Sequence, residues 1–77
     1  MDQGQEKFFN FIMQRVQDDK REEAKKLLND NFTKQAAGEF NQEAMKNSIS
    51  KILKILKPEH LEEVKGIMQQ FGKQHIQ

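Results

Sequence analysis

Cysteine is absent from this 77-residue chain, and so are tryptophan and tyrosine. Without cysteine the protein can form neither a disulfide nor a thiolate metal site, so helix packing or self-association has to supply its stability. A domain of this size buries only about 60% of the surface that its unfolded chain exposes, which leaves it marginally stable. Tryptophan and tyrosine are the usual anchors at a membrane interface, and their absence weighs against a membrane surface as partner.

The chain also lacks a large net charge and long apolar runs. Its 13 basic and 12 acidic residues leave a net charge of +1, so no global field draws it to nucleic acid or to an anionic membrane. No apolar stretch approaches the ~20 residues of a membrane span, and the first residues lack the basic and apolar regions of a signal peptide. We therefore expect a single domain over residues 1–77, located in the cytoplasm.

The residues that are plentiful favour helices. Strand-like alternation is missing, whereas Gln, Glu, Lys, Leu and Met dominate. The pattern predicts an all-α protein, a compact bundle of three to four short helices. Apolar spacing places these helices at about residues 5–17, 20–37, 41–57 and 58–71. We expect helix 3 at the centre with helices 1 and 4 packed against it, and we find no internal repeat.

Capping residues and one proline define the predicted helix ends. Asp19 followed by Glu22 fits a capping box and indicates a break between helices 1 and 2, although one continuous helix is an open alternative. Asn41 is a favourable N-cap for helix 3. Pro58 ends helix 3 and can open helix 4. Gly72 is predicted to end helix 4.

Residues that carry catalytic chemistry are scarce. There is no cysteine nucleophile and no glycine-rich phosphate loop, and Ser48 and Ser50 lie inside predicted helix 3. His60 and His75 would stand about four turns apart on helix 4, too far to share one metal ion. The paired carboxylates lie in polar runs, where the desolvation that shifts a pKa is not expected. We predict that the protein is not an enzyme and uses no cofactor, metal or small-molecule substrate.

Three phenylalanines in predicted helix 1 suggest a contact surface. Phe8, Phe9 and Phe11 point over an arc of about 160°, so they cannot all face one core. A helix wedged between two others explains them, and so does a protein contact, where Phe and Met are enriched. Ile55 lies at the edge of the helix 3 stripe and can join the same patch. The sequence thus predicts a non-enzymatic protein–protein interaction module, a homodimer that self-associates through these four residues of helices 1 and 3.

Helix 3 carries its basic residues opposite its apolar stripe. They are Lys46, Lys51, Lys54 and Lys57, with no acidic residue between them. The alternative hypothesis is therefore a small nucleic-acid-binding regulator that places these lysines on phosphates. The basic face has no arginine to read base edges and no aromatic ring to stack on bases, which counts against this reading. A solvated face of a core helix explains the same pattern.

Overall fold

The computed structural model describes the backbone of residues 2–75, and the side chains in that range except those of residues 72, 74 and 75. The described chain forms four α-helices: α1 (Gln3–Met13), α2 (Arg21–Ala36), α3 (Gln42–Leu53) and α4 (Leu61–His75). Two short 3-10 turns, Asp18–Lys20 and Pro58–His60, lead into α2 and α4. The predicted all-α class is confirmed, and the molecule measures 31 × 20 × 20 Å.

The predicted first and third helices are too long at their C-terminal ends. Each helix stops where the backbone closes a tight turn and then becomes extended. The Arg15 N–H donates to the carbonyl of Ile12 (2.9 Å), and the Ile55 N–H donates to the carbonyl of Ile52 (3.0 Å). Helices 1 and 2 are therefore separate, which excludes the alternative of one continuous helix.

Side-chain caps explain where α1 and α3 begin. The carboxylate of Asp2 accepts a hydrogen bond from the Gln5 N–H (2.7 Å), and the side chain of Gln5 accepts one from the Asp2 N–H (3.1 Å). This reciprocal arrangement is a capping box. Asn41 caps α3 as predicted, because its side-chain oxygen accepts from the Ala44 N–H at 2.9 Å.

One predicted cap and one predicted helix end are wrong, although the break between helices 1 and 2 lies where it was predicted. Asp19 makes no capping bond, and the turn before α2 is closed by a backbone bond from the Lys20 N–H to the Gln17 carbonyl (2.9 Å). Gly72 does not end α4, which continues to His75. A glycine costs a helix about 1 kcal/mol, which is too little to end it unless another feature stops the hydrogen-bonded ladder.

The two halves of the chain have the same fold. The first half consists of α1, a turn, the first 3-10 turn and α2. The same order recurs 40 positions later, with α3 in place of α1 and α4 in place of α2. Val16 and Leu56, themselves 40 positions apart, form an antiparallel bridge. Two reciprocal backbone hydrogen bonds flank the bridge, from Gln17 N to Ile55 O (2.9 Å) and from Lys57 N to Arg15 O (3.1 Å). Exchanging the halves reproduces this pattern, so a local two-fold axis passes through the bridge.

The expectation of no internal repeat is therefore wrong. With the 40-residue offset, identical residues are few, and they include Ile12/Ile52, Glu22/Glu62, Glu23/Glu63 and Lys25/Lys65. Apolar positions match more widely, for example Val16/Leu56, Leu27/Ile67 and Leu28/Met68. The repeat is hard to see in the sequence because a core position needs an apolar side chain of suitable volume and not one particular residue.

One apolar core joins the halves. Each half packs its own helices together, α1 with α2 and α3 with α4, and α2 also packs against α3. This arrangement corrects the expectation that helices 1 and 4 both pack on a central helix 3, because the main partner of α1 is α2. The most completely buried large side chains come from both halves: Ile12, Val16, Leu28, Ile52 and Val64.

Candidate interaction surfaces

Two of the four predicted contact residues lie in the core. Only 6% of the surface of Phe8 and 3% of that of Ile55 remain exposed. The Phe8 ring stacks on the Phe71 ring of α4, with centroids 4.2 Å apart and planes 4° from parallel. Phe8 and Ile55 therefore stabilise the fold, and neither is accessible to a partner in this conformation.

Phe9 and Phe11 are half-buried, and both pack against the core. The guanidinium of Arg15 lies over the ring of Phe11, 3.8 Å from its centroid, which is a cation–π contact. Each of these residues keeps part of its surface exposed. Of the predicted patch, these two residues are the ones that a partner can reach.

The repeat gives the molecule two edges in equivalent positions. Between α2 and α3, an open groove of about 380 Å³ is lined by Glu23, Leu27, Lys51 and Lys54, which we call the basic edge. At the equivalent positions, 40 places away in the sequence, stand two residues of α4, one of α1 and the C-cap residue of α1: Glu63, Ile67, Phe11 and Gln14, which we call the apolar edge. The same backbone framework thus presents two chemically different surfaces.

The apolar edge contains the most exposed large apolar side chain among the described residues, Ile67, at 39%. Glu63 on the same edge is paired with Arg15 (Oε1 to Nε, 2.9 Å), and the ring Nδ1 of His60 lies 3.4 Å from the same oxygen. The hydrogen bond from Arg15 lowers the pKa of Glu63; burial opposes this shift, while the charge of Arg15 and the contact with His60 reinforce it. The negative charge on this edge is therefore compensated within the chain.

The charges on the basic edge are not compensated. Lys51 and Lys54 are exposed, and no carboxylate among the described residues lies at ion-pair distance from either. Glu23 lines the same groove and has no ion-pair partner there. The apolar component is Leu27, which is half-buried. Farther along the groove, Lys34 pairs with an aspartate of α2 at 3.7 Å and adds no free charge.

The other predicted lysines lie outside this groove. Lys46 is exposed on α3, and Lys57 is half-buried after the bridge, where its N–H donates to a backbone carbonyl. The groove thus brings Lys51 and Lys54 together with Leu27, and neither of the other two lysines lines it. Sequence reasoning missed the contribution of α2, because Leu27 and the lysines meet only when α2 packs on α3.

A narrow cavity near the basic edge has room for roughly one water molecule. It is lined by residues that include Phe8, Met45, Ser48 and Gln35. The side-chain oxygen of Gln35 accepts a hydrogen bond from Gln5 Nε2 (2.6 Å), whereas its buried Nε2 has no partner. This space is too small for a substrate.

The described residues show no arrangement for metal or membrane chemistry. No group of three or more His, Asp and Glu side chains in this part of the chain is placed to hold a metal ion. The side chain of His75, one of the two histidines considered above, lies outside the described side chains. None of the helices within residues 2–75 combines the length and the apolar character needed to cross a membrane. No protein-family model, curated protein or solved structure matches the chain.

Proposed function

We propose that the protein is a non-enzymatic interaction module that self-associates as a homodimer through its apolar edge. The observation that carries this proposal is the exposed side chain of Ile67 at the sequence position equivalent to Leu27, with Phe11 at the position equivalent to Lys51. A single exposed apolar residue is ordinary in a monomer. An exposed isoleucine together with a partly exposed aromatic ring is more typical of a contact surface.

Charge favours a second copy as the occupant of this edge. Glu63 is already neutralised by Arg15, so two copies can approach without opposing unpaired charges of one sign. An isologous contact uses the same patch on both subunits, and Ile67 and Phe11 suit such a contact because each can pack on the other. Few apolar side chains take part, so we expect a weak dimer that dissociates on dilution.

The test is the native mass across a dilution series, measured by light scattering after size exclusion. Because the chain has no Trp or Tyr, protein concentration is taken from refractive index. We expect Ile67→Ser and Phe11→Ser to shift the equilibrium to monomer while far-UV circular dichroism still shows a helical protein. The internal repeat supplies matched controls, Leu27→Ser and Lys51→Ser, which alter the equivalent positions on the other edge. A wild-type chain that is monomeric at every concentration would refute the proposal, as would equal effects at both edges.

Nucleic-acid binding by Lys46, Lys51, Lys54 and Lys57 is the second candidate. The absence of ion-pair partners for Lys51 and Lys54 supports it. The half-buried position of Lys57 weakens it. The hypothesis predicts binding to duplex or single-stranded oligonucleotides that falls steeply with salt and weakens in a Lys51→Gln/Lys54→Gln variant. Undetectable binding at low ionic strength would dismiss it.

A further inference from the structure

We propose that the basic edge is a second binding surface, which takes an acidic amphipathic helix from another protein. This inference goes beyond the self-association proposed above, because it concerns the opposite edge and a different partner. The groove between α2 and α3 combines one apolar side chain, Leu27, with the ammonium groups of Lys51 and Lys54. A helix that lies in a groove is recognised by this combination of apolar anchors and flanking charges.

The internal repeat indicates what kind of side chain such a groove accepts. On the apolar edge, the position equivalent to Lys51 is occupied by Phe11, whose ring packs against the core. Lys51 cannot do the same, since its ammonium stays exposed to solvent. The basic edge therefore lacks the apolar side chain that Phe11 provides at the equivalent position of the apolar edge. An apolar side chain of the partner helix, lying against Leu27, supplies that group.

The charges define the two flanks of the partner helix. Lys51 lies in the last turn of α3 and Lys54 is its C-cap residue, three positions on, so they face two carboxylates that are one turn apart on a partner helix. Glu23 lies on the α2 side without an ion-pair partner and favours a basic residue on the opposite flank. The occupant that fits has an acidic flank, an apolar stripe and at least one basic residue on the other side.

Two other occupants fit the groove less well. If the basic edge of a second copy occupied the groove, each copy would contribute two lysines and one glutamate. Positive charge would then remain unpaired in the contact. A nucleic-acid strand would bring phosphates close to the carboxylate of Glu23, and Leu27 offers no ring on which a base can stack. An amphipathic helix with an acidic flank can offer a partner to each of the four side chains: carboxylates for Lys51 and Lys54, an apolar contact for Leu27 and a basic residue for Glu23.

The experiment is an NMR titration of the isotope-labelled full chain with a designed helical peptide of about 15 residues, a length at which an isolated helix begins to be stable. The peptide carries leucines along one face, glutamates on one flank and lysines on the other. A matched peptide has glutamine in place of every glutamate. We expect saturable shifts of the amide signals of Glu23, Leu27, Lys51 and Lys54, and weaker binding of the matched peptide.

Variants then test which side chains carry the binding. We expect the Lys51→Gln/Lys54→Gln variant to lose about tenfold in affinity, because each exposed ion pair contributes little and two are removed. Lys65→Gln/Lys73→Gln removes the same two charges from exposed positions of α4 and serves as the matched control. Ile67→Ser should disrupt the dimer and leave peptide binding unchanged, so failure of this inference is distinguishable from failure of the proposed self-association.

Several results would overturn the inference. These are the absence of saturable shifts, equal binding of the acidic and the glutamine peptide, or shifts confined to the apolar edge. An equal loss of affinity in Lys65→Gln/Lys73→Gln would show that only overall charge matters. Salt-sensitive binding of oligonucleotides at these lysines, with an additional loss in Lys46→Gln and no peptide binding, would assign the groove to nucleic acid.

Discussion

The two edges of the molecule use the same framework for different contacts. Where α1 meets α4, the rings of Phe8 and Phe71 stack. At the equivalent positions, where α3 meets α2, the hydroxyl of Ser48 accepts a hydrogen bond from the amide of Asn31. Both contacts join the two halves of the chain. The contact on one edge is apolar and the contact on the other is polar, although the helices that make them are related by the local two-fold axis.

The core positions behave differently from the edges. Ile12 and Ile52 are identical and fully buried. Val16 and Leu56 are also buried, and they are the two residues that form the antiparallel bridge. A buried position close to the two-fold axis accepts only apolar side chains of suitable volume, because close packing leaves no room for other choices. An edge position has solvent on one side and tolerates aromatic, basic or polar residues. The comparison therefore locates the surfaces with specific roles at the edges.

The largest change in the free energy of unfolding is expected when the stacked contact of Phe8 and the hydrogen bond of Ser48 are removed in separate variants. Phe8→Ala should cost about 3–5 kcal/mol, because it removes a buried ring and leaves a cavity. Ser48→Ala should cost only about 1 kcal/mol, since it deletes one hydrogen bond to a half-buried amide. Urea unfolding followed by far-UV circular dichroism gives both values. If Phe8→Ala does not fold, Phe8→Leu is expected to fold with a smaller loss. Equal losses for Phe8→Ala and Ser48→Ala would show that the two contacts are energetically equivalent.

A smaller change in the free energy of unfolding, of opposite sign, is expected when a helical glycine that only one half contains is replaced by alanine. Gly66 in α4 stands where α2 has Lys26, and a methyl group added there would meet no atom within 4 Å. Gly66→Ala should therefore raise the free energy of unfolding by about 0.5–1 kcal/mol. Gly38 is the contrasting control, because its φ of 72° is a left-handed conformation that costs other residues about 1 kcal/mol or more. A destabilised Gly66→Ala variant would indicate an unrecognised contact at this site.

The smallest effect concerns the ion pair that links the halves on one edge. Arg15 lowers the pKa of Glu63 in the folded state. The ion pair therefore stabilises the fold at pH values above the ordinary carboxyl pKa, and this contribution is lost as the pH falls through the folded-state pKa. The wild type should lose stability on acidification more steeply than Glu63→Gln. The difference is expected to be small, since the Glu63 side chain is 48% exposed and solvent screens the pair.

The matched control for this pH series is Glu23→Gln. It removes the same charge at the equivalent position, where Ile55 stands in place of Arg15. Thermal unfolding midpoints measured across the acid range, at low and high salt, compare the three proteins. Parallel pH profiles for the wild type and Glu63→Gln would contradict the proposed contribution of the ion pair.

Local signals allowed the helices to be predicted. Asn41 was identified as a cap because its side chain acts on a backbone group three residues away. Pro58 opens the 3-10 turn that leads into α4, as its fixed φ favours, but the prediction that it ends helix 3 was wrong, because α3 already stops at Leu53. The C-terminal ends of α1 and α3 were misplaced for the opposite reason. They depend on the bridge between Val16 and Leu56, a contact between distant parts of the chain that no local pattern reveals.

The candidate surfaces were predicted only in part. Lys51 and Lys54 were recognised because a helix with one apolar stripe must expose its other face. Leu27 and Ile67 were missed as surface residues because each lies at the margin of an apolar stripe, where a neighbouring helix decides its exposure. Phe8 was assigned to a contact patch for a related reason: the directions of three rings on one helix do not show which side the other helices cover.

By itself, the sequence determined the all-α class, the four helical segments and the solvent-facing lysines of α3, because periodicity and capping act over a few residues. Tertiary structure alone decided that the two halves share one fold, that Phe8 and Ile55 are buried, and that Leu27 joins Lys51 and Lys54 in one groove. These properties arise from contacts between residues far apart in the chain. Such contacts depend on how the halves pack around their local two-fold axis, and side-chain type alone does not specify that packing.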